Sequence, residues 1–144
     1  MLAPEFDEAF TAIYDCTPII LANASYILAE LPNEQLPEPL RQYITGQCDA
    51  LLSTRHDLMS ELAEIEDQLD SGVNPGVILE RMKRAITWLE EDLSALHLDI
   101  AELQEFSNKN PAAAPAYILV AESATNILNA FHRAKTAVDS IPVD

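Results

Sequence analysis

Seven residues of this chain could move protons or hold a metal if antiparallel helices bring them to one level: Tyr14, Asp15, Arg55, His56, Glu90, Glu91 and His132. His56, His132 and a glutamate would make a donor set for zinc. The plainer chemistry is structural. A single Arg at an otherwise apolar seam position pairs with a carboxylate and fixes helix register. A carboxylate-bridged di-iron bundle needs Glu-x-x-His on two helices, and the sequence contains no such motif. The seven are therefore read as a polar layer, with no metal, no cofactor and no catalytic residue assigned.

Other chemistry-bearing patterns are sparse. Glu61-x-x-Glu64 and Asp99-x-x-Glu102 place two acids one helical turn apart. That spacing resembles the acidic pairs that hold Mg²⁺ on helices of all-α nucleotide pyrophosphatases. The second pair has its residues in the opposite order, and the chain offers few bases to hold phosphates. Gly-rich phosphate loops and the Gly-x-Ser-x-Gly nucleophile motif do not occur. Cys16 and Cys48 make neither a metal-binding spacing nor a disulfide framework. They read as small buried hydrophobes with reduced thiols.

The elements that would position these residues follow from apolar spacing. Positions alternating by three and four run through Phe6, Phe10, Ile13, Thr17, Ile20, Ala24, Ile27 and Leu31. A second series is Cys48, Leu51, Arg55, Leu58, Leu62, Ile65 and Leu69. A third is Met82, Ile86, Leu89, Leu93, Leu96, Ile100 and Leu103, and a fourth is Val120, Ala124, Ile127, Phe131, Ala134, Val138 and Ile141. Such seams belong to helices packed at small crossing angles. The predicted helices cover 5–31, 38–71, 75–107 and 115–140. Gly72 suits the left-handed position after a helix, Asn74 an N-cap and Pro75 a first helical position. Pro32, Pro37 and Pro39 separate the first two helices, and Pro111 follows the third. The fold class is all-α: one domain over 1–144, an elongated antiparallel up-down four-helix bundle, or five helices if Pro18 breaks the first. The unbroken heptad phase across Pro18 favours a kink.

Composition narrows the function. There are 24 Asp plus Glu against 8 Lys plus Arg, a net charge of −16. Such a chain repels phosphate backbones and anionic membranes, so neither nucleic acid nor membrane is expected as a direct partner. Hydrophobic residues make up 49% of it, far too many for a disordered acidic tail. The N-terminus is acidic, unlike a signal peptide. The longest nearly uncharged apolar stretch, Pro18 to Ala29, falls short of the roughly 20 residues of a span. A cytoplasmic protein is expected.

Two surfaces stand out. Asp57, Glu61, Glu64, Glu66, Asp67 and Asp70 form one acidic run, and Arg81, Lys83 and Arg84 lie across the hairpin from it. Beyond residue 84 the third helix has no base before Lys109, which leaves Glu91, Asp92, Asp99, Glu102 and Glu105 bare. Ile19, Ala22 and Tyr26 lie opposite the first seam and mark a face for self-association or a partner. Trp88, on the third helix, is also off its seam. The expected function is non-enzymatic: an acidic helical adaptor or inhibitor that engages another protein. A basic nucleic-acid-handling target, met by charge mimicry, leads the partner classes. The alternatives are a small metal-dependent nucleotide-processing enzyme and a structural subunit or secretion chaperone.

Overall fold

A computed structural model describes residues 2–142. Four helices carry nearly all of them: α1 (Pro4–Glu30), α2 (Glu38–Ser71), α3 (Pro75–Lys109) and α4 (Ala114–Asp139). Short 3-10 turns at Leu31–Asn33 and Pro111–Ala113 finish α1 and lead into α4. No strand occurs among the described residues. Each helix packs against two neighbours, α1 on α2 and α4, and α3 on α2 and α4. That ring is an up-down four-helix bundle. At 1.5 Å per residue the 34 residues of α2 span about 50 Å.

The heptad seams form the core. Every seam residue of the four series is buried or half-buried, and none is exposed. Small residues fill a second row beside the seams: Ala9, Ala85 and Ala130, which the spacing passed over, and Cys16, expected as a small buried hydrophobe, are all buried. Burial of this apolar surface is the main force holding the helices together, at about 25 cal/mol per Å² removed from water.

The α2–α3 hairpin closes as its residues dictate. Gly72 adopts φ 74° at the end of α2, and its N–H bonds to the Gln68 carbonyl. Only glycine takes that left-handed conformation without penalty. The Asn74 side chain then accepts the Gly76 N–H at 2.8 Å, capping α3 with Pro75 in its first turn.

Pro18 does not break α1, which runs unbroken from Pro4 to Glu30, so the five-helix alternative is excluded. Proline lacks the N–H that would bond four residues back, which strands the Tyr14 carbonyl. The Thr17 hydroxyl donates to that carbonyl at 2.7 Å. The carbonyl of the same Thr17 receives Arg55 Nε from α2 at 2.9 Å.

The first helix is the most apolar of the four. Taken with its 3-10 turn, α1 over Pro4–Asn33 is long and apolar enough to cross a membrane. That stretch is longer than the run from Pro18 to Ala29 because it continues toward the N-terminus through a single acid, Asp15. In the bundle, eight residues of α1 are buried in the core against the other helices.

Candidate interaction surfaces

Register brings the expected polar level together in outline. Arg55 reaches Thr17, Thr54 reaches Asp92, and Lys135 reaches Glu90. The seven side chains are nevertheless spread around the outside of the bundle. Tyr14, Asp15, His56, Glu90, Glu91 and His132 are exposed, and only Arg55 is half-buried. Arg55 uses its Nε on a backbone carbonyl, where sequence reasoning expected a carboxylate. The partner was missed because the demand comes from the backbone of another helix. Glu90 accepts from Lys135 Nζ at 2.9 Å, which holds the lysine charge above its ordinary pKa. His132 stacks at a tilt beside Phe131, ring centroids 5.6 Å apart. Among the described residues, no three His, Cys, Asp or Glu side chains group closely enough to hold a metal ion.

Of the three cations of the hairpin end, Arg81 and Arg84 are engaged as their positions suggest, and Lys83 is exposed and in no ion pair among the described residues. Arg81 pairs with Glu64 at 2.5 Å and with Glu61 at 3.4 Å, and Arg84 reaches Glu61 at 3.3 Å. The hydrogen bond to Glu64 raises the Arg81 pKa further. Arg84 also places its guanidinium 6.0 Å from the centre of the half-buried Trp88 ring, a cation–π contact.

Farther along α3 the acids are less matched. Glu91, Glu102 and Glu105 are exposed. Lys109 reaches Glu105 at 3.5 Å, between two fully solvated side chains. Such pairs neutralise little. Asp92 is half-buried and accepts the Thr54 hydroxyl from α2. Asp99 is half-buried too, and its Oδ2 lies out of water with no hydrogen-bond donor among the described residues. Burial, reinforced by the nearby Glu102 charge, raises the Asp99 pKa. The unneutralised acids thus run from the α2 side of α3, at Asp92 and Asp99, onto its outer face, at Glu91 and Glu102.

The α1 face is smaller than its wheel position implied. Ile19 is half-buried and packs against the core, which leaves Ala22 exposed and Tyr26 53% exposed. Leu21 and Tyr14 add exposed apolar surface on the other flank of α1.

A further surface was not visible in the sequence. Between α3 and α4 runs a largely apolar groove of about 690 Å³. Leu93, Leu96, Ile100 and Phe131 form its floor, Ala121 and Ala124 keep its α4 wall low, and Leu98 stands at its edge. A groove forms only where facing helices present small residues at the same level, and heptad spacing within one helix carries no information on that.

Compared with protein-family models, curated proteins and solved structures, this chain has no match. Function therefore rests on the surfaces themselves.

Proposed function

We propose that this protein is a non-enzymatic acidic adaptor or inhibitor that holds a basic protein, including the basic grooves of nucleic-acid-handling proteins, against the acidic outer face of α3. One observation carries the reading. Arg81 and Arg84 are committed to Glu61 and Glu64, whereas Glu91, Asp92, Asp99 and Glu102 have no cation within ion-pair distance among the described residues. An aligned strip of acids on a rigid helix steers and orients a basic partner. The same ion pairs count against a Mg²⁺-dependent nucleotide enzyme, because one of its two acidic pairs is occupied by arginines. A cytoplasmic setting fits this role and belongs to the same proposal.

The test uses the intact chain as bait in native lysate at low and high salt, beside a triple variant, Glu91→Gln, Asp92→Asn, Glu102→Gln. Basic proteins should be retained at low salt, released as salt shortens the screening length to about 10 Å at 0.1 M and below, and lost on the variant. Retention that ignores both salt and the variant overturns the reading.

A further inference from the structure

Leu98 is the most exposed large apolar side chain among the described residues, with 67% of its surface in water, and its neighbours on α3 are acids. Glu91 lies two turns before it, Glu102 one turn after and Glu105 two turns after, all three exposed. At 100° per residue they point within about 40° of Leu98. Only Glu105 has a cation near it among the described residues, Lys109 at 3.5 Å. The same pairing recurs on α4, where Ile118 and Glu122 stand exposed one turn apart.

This arrangement selects the charge of whatever covers Leu98. A neutral apolar surface laid on it strips water from carboxylates and returns no hydrogen bond. A second copy, at −16, brings further acids against them. A surface that sets an apolar residue between cations buries the leucine and pairs the acids in one contact.

Pitch selects its shape. Leu98 to Glu102 and Leu98 to Glu105 are steps of about 6 and 10.5 Å along α3. A second helix presents residues i, i+4 and i+7 on one face at those same steps, and from Glu91 to Glu105 the match holds for about 21 Å. An extended strand presents one face at about 6.6 and 13 Å and falls out of step. Beside Leu98, the groove over Leu96, Ile100 and Phe131 is bounded by two antiparallel helices, which is the recess that receives the apolar face of a helix.

We infer that the basic partner engages this chain with an amphipathic helix of about four turns, its apolar residues on Leu98 and in the α3–α4 groove, its Lys and Arg residues against Glu91, Glu102 and Glu105. The inference rests on the acidic-face reading and adds the form of the partner.

The intact chain titrated with labelled synthetic peptides, followed by fluorescence anisotropy, tests it. The first peptide is a lysine helix of about 15 residues with Leu at i, i+4, i+7 and i+11. The second has the same composition with its leucines spread around the helix, and the third is oligolysine of equal charge. At about 0.15 M salt the first should bind at least about tenfold tighter than either control. Leu98→Asp adds an acid to the stripe, so charge alone would tighten all three peptides. A helix seated on Leu98 gives the opposite result: the first peptide should weaken at least about tenfold, while oligolysine is held as well or better. Thr125→Trp, which fills the groove from its rim without changing charge, should weaken the first peptide in the same way. Both positions are exposed, so these variants keep their fold, which circular dichroism verifies. A first peptide that binds no tighter than its controls, or that ignores both variants, overturns the inference. Oligolysine binding that falls with salt and on the Glu91→Gln, Asp92→Asn, Glu102→Gln variant then leaves the acidic-face reading standing. If none of the three peptides binds, that reading falls as well.

Discussion

Arg55 Nε donates to the carbonyl of Thr17 at 2.9 Å, so the one charged residue on the α2 seam is spent on the backbone of α1 beside Pro18. Thr17 is buried, and through its carbonyl Arg55 ties α2 to α1 out of reach of bulk water. Leaving a buried acceptor short of a donor costs about 1–3 kcal/mol. Arg55→Ala should lose stability of that size by urea denaturation, part of it from the packed stem of the side chain. The substitution should leave the acidic face of α3 unaltered.

The Thr17 hydroxyl bond to the Tyr14 carbonyl answers a vacancy that Pro18 creates. Thr17→Val removes the hydroxyl at nearly constant volume and should cost about 1–2 kcal/mol. In a Pro18→Ala background the new N–H can serve the Tyr14 carbonyl, so the same substitution should cost less. A double-mutant cycle should return a coupling of at least about 0.5 kcal/mol. Additive effects would show that the hydroxyl does not compensate for the proline.

Asp99 makes stability depend on pH. Burial raises its pKa in the folded chain above the ordinary 3.8. Between those two values the native state binds more protons than the unfolded state, so this residue's contribution falls as pH rises. At neutral pH ionised Asp99 therefore opposes folding. Asp99→Asn should raise the urea midpoint at pH 7. The advantage should shrink as pH falls through the raised pKa of Asp99 and vanish below its ordinary value.

The thiols should be silent in the native state. Burial pushes Cys16 to about 11 and Cys48 to about 12, with Asp15 and with Asp49 and Asp99 adding to the respective shifts. Thiolate is the reactive form. At pH 8 a disulfide reagent should label neither cysteine faster than the chain unfolds, and both should react at once in denaturant.

Gly72 should resist replacement despite open space around it. A Cβ there meets nothing within 4 Å, but the φ of 74° is strained for any side chain. Gly72→Ala should cost about 1–2 kcal/mol from backbone strain alone. Gly46, helical and equally open, gives the contrast: Gly46→Ala should stabilise by about 1 kcal/mol.

The bundle was legible because its signals are local. Three-and-four spacing marked Ile13, Leu51, Leu89 and Ile127 for the core, and all four are buried. Gly72, Asn74 and Pro75 set the hairpin and with it the level at which Thr54 meets Asp92. What escaped depends on pairs of helices. Ile19 looked free on its own helical wheel, yet it packs against the core. The groove beside Leu98 depends on Ala121 and Ala124 facing α3 at the right height. The partner of Arg55 depends on a backbone acceptor that no side-chain pattern displays.

The bundle closes through its most distant pair in sequence. Asn126 on α4 donates to Asn23 on α1 at 3.0 Å, joining residues 103 apart, whereas α2 and α3 meet across a tight hairpin. Local contacts form before those that must close a long loop. During synthesis from the N-terminus, the most apolar helix of the chain is thus made first and receives its α4 neighbour last. Until α4 emerges, one flank of α1 stays uncovered, and that interval is when the nascent chain most needs a chaperone to keep it from aggregation.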